Sequence, residues 1–251
     1  IRRDDDQRGM RTLSTPWQSV GSKGVVTLAS KLMLALLPPQ TSFFKLQVDD
    51  SNLGQLPPGF RSEMDLAFAK IERTIMDSIA ASDDRVVVHQ ALKHLVVAGN
   101  VLVFMGKEGL KLFPLNRYAV ERDGNGNVLE IVTKEKIAKK LLGDYKDIQS
   151  QPNSPGSDHY GDKDECDVYT HIKRENNRMV WHQEVEDKII PNSRSKAPLD
   201  ANPWIPLRFN TVDGEAYGRG RCEEFIGDLK SLEALSQALV EGSAAAAKVV
   251  F

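Results

Sequence analysis

The sequence has 251 residues, 27% of them charged and 41% hydrophobic, enough for one large domain or two small ones with a buried core. Lys and Arg number 33 against 35 Asp and Glu, a formal charge of -2, so no broad basic field exists to grip nucleic acid non-specifically. Two cysteines, Cys166 and Cys222, exclude a disulfide framework and fit a reducing compartment, and the longest apolar run, at 25–37, is interrupted by Thr27, Ser30 and Lys31 and falls short of a membrane span.

Residues 1–14 are polar, rich in Arg and Asp, and read as a mobile arm. Thr15, Pro16 and Gln18 occupy the N-cap, first-turn and capping-box positions of a helix that Pro38 and Pro39 stop. Its stripe is Trp17, Val20, Gly21, Gly24, Val25, Leu28, Leu32 and Leu36, which reads as core or as a helix–helix interface. Residues 43–48 predict a strand and 56–59 a loop. A second helix is expected from Ser62, with Met64, Phe68, Ile71, Ile75 and Ile79 on one face. Ser82, Asp83 and Asp84 end it and open a third helix, carrying Val88, Ala91, Leu92, Leu95 and Val96, with Gly99 as its C-cap residue.

Residues 101–105 and 110–113 predict paired strands about a turn at 106–109. Asp123, Gly124, Asn125 and Gly126 mark a hairpin between strands at 118–122 and 128–133. A short helix is expected at 134–142, a polar Pro- and Gly-containing loop at 143–165, and strands at 167–173, 178–185 and 204–210 around an irregular tract at 187–203. A long helix is expected from Glu223 to the end, with Phe225, Leu229, Leu232, Leu235 and Leu239 packing on the rest of the chain. Its back half, Gly242, Ser243, Ala244, Ala245, Ala246 and Ala247, is small enough for close approach by neighbouring copies. The class is α+β: helices first, then hairpins, then one long helix. The start at Ile1 and the apolar finish at Val249, Val250 and Phe251 read as a piece of a longer chain.

Site chemistry is sparse. Asp123 to Asn127 imitates the start of a calcium loop, but Val128 and Lys134 occupy the positions that need glycine and glutamate. Asp158, His159, Asp162, Asp164, Glu165, Cys166 and His171 are possible metal ligands without a recognised zinc spacing. Gly218, Arg219, Gly220 and Arg221 precede a helix and read either as an anion cradle or, preferably, as a turn. His89 and His94 are five apart, not the four of a paired helical ligand. There is no P-loop and no nucleophile elbow. The expectation is no catalytic, cofactor or metal residues, with Gly242 to Ala247 as the candidate subunit interface.

Seven stretches, in order, carry a resemblance. They are 15–21 (TPWQSVG), 28–38 (LASKLMLALLP), 91–102 (ALKHLVVAGNVL), 167–171 (DVYTH), 204–208 (WIPLR), 213–219 (DGEAYGR) and 227–233 (GDLKSLE). Together they resemble portal, or head-to-tail connector, proteins of short-tailed bacteriophages of the autographivirus group. The resemblance implies a structural subunit, not an enzyme, in a homo-oligomeric ring, of twelve copies in the family, at one capsid vertex of the virion. The ring would be assembled in the bacterial host cytoplasm. Implied partners are the terminase large subunit, a tail adaptor, scaffolding and capsid proteins, internal core proteins, and double-stranded DNA that passes through without sequence-specific binding; no membrane and no cofactor are implied. Within such a subunit, 15–222 would form most of the N-terminal wing and 223–251 a helix leading into the stem, while the clip, the crown and the C-terminal part of the wing have no counterpart here. A near-neutral chain also suits a conduit through which DNA slides. Two rival readings are a metal-dependent hydrolase using the acidic loop at 158–171 and a monomeric virion adaptor.

Overall fold

In the computed structural model the chain is described over residues 15–38, 41–47, 60–138, 140–142 and 165–248. Helix α1 spans Val20–Leu36, starting later than the Thr15 cap predicts. The Val20 amide donates to Oε1 of Gln18 at 2.7 Å, and the Trp17 amide donates to Oε1 of Glu233 at 2.7 Å. That long-range bond holds the lead-in out of the helix. The buried face is also turned from the expected stripe: Ala29 and Met33 are inside, Val25, Leu28 and Leu32 are half-buried, and Trp17, Val20 and Leu36 are exposed.

Residues 43–47 are not the strand that β-propensity predicts. Phe43 and Phe44 pack edge-on at 5.1 Å, and the Leu46 amide donates to Oε1 of Glu72 at 2.6 Å instead of to a neighbouring strand. Val48 and the expected loop at 56–59 lie outside the described residues. Helix α2 spans Phe60–Ala81 and buries no residue fully. Helix α3 spans Asp84–Ala98 and ends on Gly99, whose φ of 72° is the left-handed cap predicted for it. Its inward residues are Ala91, Leu92, Leu95 and Val96, as expected.

Two sheets follow. The smaller has the order β2–β1–β9, from β1 (Asn100–Gly106), β2 (Gly109–Pro114) and β9 (Trp204–Arg208), all antiparallel. The larger has the order β3–β4–β5–β6–β7, with β8 also on β6. Its strands are β3 (Tyr118–Arg122), β4 (Val128–Ala138), β5 (Glu165–Glu175), β6 (Arg178–Val185), β7 (Lys188–Ile189) and β8 (Ser195–Pro198). The hairpin at 123–126 forms as read. Asp123 accepts from the Asn125 and Asn127 amides at 3.0 and 2.7 Å, so the carboxylate organises the turn.

Three expectations fail in this sheet. The helix predicted at 134–142 is mostly strand, because 134–138 pairs with 165–169 in register; only 140–142 turn helically. Strand β5 begins at Glu165, inside the expected loop, whose other residues lie outside the described ones. The tract at 187–203 is not irregular, since it supplies β7, β8 and a helical turn at Leu199–Ala201.

The class is α+β, in three layers. Strand β1 is the shared wall. Its Val101 and Val103 pack with Ala29, Met33, Leu92 and Leu95 of the helices. Its Leu102, with Phe113 and Trp204, packs with Ile131, Ile172 and Met179 of the larger sheet. A strand buried on both faces reads as a continuous apolar run, as 101–105 does. Each such side chain, fully buried, contributes about 1.5–3 kcal/mol.

Candidate subunit interface

The last helix is rooted by backbone contacts. Asn100, buried at the head of β1, donates through Nδ2 to the Gly218 carbonyl at 2.7 Å and accepts from the Gly218 amide through Oδ1 at 2.7 Å. Gly220 lies so close to α3 that a Cβ there would stand 2.3 Å from the Val97 carbonyl oxygen. A Cβ on Gly218 would stand 2.8 Å from that of Asn210. The glycines at 218 and 220 therefore serve close backbone approach, and the anion-cradle reading is set aside. Arg122 braces the same segment by donating to the carbonyls of Ala216, Gly126 and Pro206. Burial and the neighbouring Arg208 hold this guanidinium below its ordinary pKa. The Tyr217 hydroxyl accepts from the Val120 amide at 3.0 Å.

From this root run a short α4 (Arg221–Glu224) and, after a break at Phe225, α5 (Ile226–Lys248). Arg219 pairs with Glu215 and Glu223, and Arg221 with Glu224 at 2.7 Å. Near its start α5 passes the N-terminal end of α1. Leu229 would meet a Cβ on Gly21 at 3.5 Å, and Glu233 takes the Trp17 amide.

The front half of α5 does not pack as expected. Its half-covered residues are Leu229, Glu233 and Ser236, whereas Phe225, Leu232, Leu235 and Leu239 are exposed, the last two by 62% and 71%. Near-heptad spacing marks a stripe without saying which partner it faces, and here the inward face is a different one. Leu232, Leu235, Leu239, Gly242 and Ala246 follow at steps of three and four, so they form one outward seam, large at the front and small at the back. Gly242, Ser243, Ala244, Ala245, Ala246 and Ala247 are all exposed on α5. Helix α2, which the sequence did not single out as a surface, also presents Phe60, Leu66, Ile71 and Ile75 to solvent.

The polar candidates are not brought together. Asp158, His159, Asp162 and Asp164 lie outside the described residues. The Cys166 thiol donates to the Ile137 carbonyl at 3.6 Å, and His171 pairs with Glu130 at 2.6 Å. Among the described residues no group of three His, Cys, Asp or Glu is placed to hold a metal. His89 meets the Ser30 hydroxyl at 3.4 Å. Burial on α3 lowers the pKa of His94 from its ordinary value.

The sequence pattern of a family described as bacteriophage head to tail connecting protein matches residues 1–251. The chain belongs to that family. Connector relatives include the portal protein of Enterobacteria phage T3, 42% identical over 246 residues, which cover 94% of this chain and 45% of that protein. The portal protein of Escherichia phage T7 is 40% identical over 256 residues, covering 98% and 47%. That of Enterobacteria phage SP6 is 28% identical over 243 residues, covering 96% and 47%. The chain thus spans less than half the length of these curated portal proteins. No described helix is long and apolar enough to cross a membrane.

Proposed function

We propose that this connector-family chain is the wing-like part of a portal subunit, acting as one copy of a ring at a capsid vertex. The described residues up to Cys222 belong to the wing-like unit, and the helix at Ile226–Lys248 leads toward a stem. The ring is the channel for double-stranded DNA during packaging and ejection, and the docking platform for a packaging ATPase and a tail. The observation that carries the ring reading is the exposed seam of Leu232, Leu235, Leu239, Gly242 and Ala246 along α5. Water-facing leucines at heptad spacing on a helix rooted in its own domain call for another copy. A structural role follows from the same reading, with no ATPase or nuclease turnover.

The test is electron microscopy with sedimentation on the full-length subunit. A closed ring with α5 between neighbours is expected. A monomer at working concentration, or a ring in which α5 faces only solvent, refutes the reading. Of the residues that the hydrolase alternative would use, the described His171 and Cys166 are engaged with Glu130 and a backbone carbonyl.

A further inference from the structure

The start of α1 carries two instructions that conflict. Thr15, Pro16 and Gln18 supply the N-cap, first-turn and capping-box residues of a helix beginning at Pro16. The chain does not follow them. Residues 15–19 stay outside the helix, α1 begins at Val20, and its opening bond runs from the Lys23 amide to the Ser19 carbonyl at 3.0 Å. Ser19 holds the N-cap position without a side-chain bond. The Gln18 side chain is diverted to the Val20 amide, and the Trp17 amide is taken by Oε1 of Glu233 on α5, each at 2.7 Å. The other carboxylate oxygen of Glu233 is buried with no hydrogen-bond partner among the described residues.

We propose that residues 15–19 are a two-state switch that latches α5 to α1. In the latched state, the one in this structure, Glu233 holds the Trp17 amide and the lead-in stays out of the helix. In the released state the lead-in joins α1. The Thr15 hydroxyl then takes the Trp17 or Gln18 amide. The amides of Ser19, Val20, Gly21 and Ser22 then bond to the carbonyls of Thr15, Pro16, Trp17 and Gln18. Thr15 and Glu233 thus compete for the same short segment, and only one can be served at a time. Two features hold the states near balance. The capping residues favour the helix locally, and the unpaired buried oxygen of Glu233 offsets part of what the tertiary bond contributes. A local signal that a tertiary contact overrides is the kind of conflict from which a two-state element is built. Release removes the bond between α5 and the lead-in and leaves Leu229 beside Gly21, so the attachment of α5 is coupled to the conformation of 15–19.

The test is hydrogen exchange of the full-length subunit, read by mass spectrometry on overlapping peptides across 17–24 and 227–236. Glu233→Ala is expected to slow exchange at 19–22 by at least about tenfold, as those amides enter the helix, and to speed it in the first turns of α5 by about threefold. Adding Thr15→Ala is expected to return 19–22 to the original rate without restoring α5. Ser19→Ala has no side-chain cap bond to lose and favours helix; with Glu233 in place it is expected to slow 20–22 by about threefold. The proposal falls if Glu233→Ala leaves 19–22 unchanged or speeds their exchange, which would make the bond a plain structural tie. It also falls if Thr15→Ala does not reverse the gain, or if exchange in α5 is unmoved. Should Glu233→Ala fail to fold, Ser19→Ala decides: slower exchange at 20–22 supports the switch, and an unchanged rate overturns it. None of these readings depends on whether the copies form a ring.

Discussion

Asn100 is a polar residue at the first position of a strand buried on both faces, and that position invites a cost unless its amide is fully used. Its partners lie 118 residues further along the chain, beyond anything that local periodicity can reveal. Gly99 beside it was legible, because a glycine after a helical stripe has a local meaning; Asn100 and the closeness of Gly220 were not, because they depend on a long-range meeting of backbones. Asn100→Ala should leave the amide and carbonyl of Gly218 without partners and destabilise the fold by about 1–3 kcal/mol, read as a shifted urea midpoint at constant slope. An unshifted midpoint would show that water replaces the side chain. Gly220→Ala should cost about 1–3 kcal/mol or more, because the new methyl meets the Val97 carbonyl oxygen at a distance neither backbone can keep. His94 gives a pH signature. Burial lowers its pKa in the folded chain from 6.5, so the unfolded chain takes up the proton first. Its contribution to stability is complete above that ordinary value and is lost as pH falls below it toward the folded pKa. Urea midpoints at about pH 7.5 and 5.5 should differ, and by less in His94→Gln; an identical drop in the variant would assign the effect elsewhere.

At the scale of elements, α3 was readable in its bounds and its inward face, whereas the inward face of α1 and the front of α5 were misjudged. The inward residues of α3 matched their spacing because one continuous face carries its contacts to α1 and to the smaller sheet. Residues 134–138 read as helix because Lys134, Glu135, Lys136 and Ile137 suit one locally, yet pairing with β5 makes them strand; tertiary contact overrides weak propensity. The front of the α5 seam, Leu232, Leu235 and Leu239, was visible as a pattern but expected to pack on the chain's own domain, whereas it is exposed. Two substitutions test its proposed role. Leu235→Asp should leave the circular dichroism of the subunit unchanged, since that side chain is already in water, and should lower ring yield in sedimentation. Ala245→Trp should also impair assembly with the fold intact, overpacking a close contact by about 1–3 kcal/mol per subunit. Normal rings from both variants would remove α5 from the interface. Failure of either to fold would mean that its face belongs to the subunit's own core.

At the scale of the whole molecule, β1 joins the two hydrophobic clusters, and β2 beside it reaches both, through Phe113 on one face and Leu110 and Leu112 on the other. Neither the helices nor the larger sheet can lose it without exposing apolar surface, so the described layers should unfold together. The near-ultraviolet signal of Trp181 and Trp204, which reports the layer between the sheets, should change at the same denaturant concentration as the helical far-ultraviolet signal. Leu102→Ala, at a site with no exposure, should cost about 2–5 kcal/mol and move both signals equally. Separate midpoints would divide the chain into independent units. The three layers were only partly legible in sequence. The doubly buried run at 101–105 announced a central strand, whereas the roles of β7 and β8 rest on two- and four-residue pairings too short to leave a pattern.

The glycine-tight root of α5 also has a mechanical meaning. The helix has 23 residues and so extends about 35 Å, pivoting near a junction only a few residues long. Any play at the fulcrum is multiplied toward the tip, so a tilt of about 5° would carry the far end about 3 Å sideways over that length. Backbone meets backbone at Gly99 and Gly220, and the side chains beside them, Asn100 and Arg122, are themselves held by hydrogen bonds to backbone groups. A load applied near Lys248 would accordingly be passed to the head of β1 as torque, not absorbed at the joint.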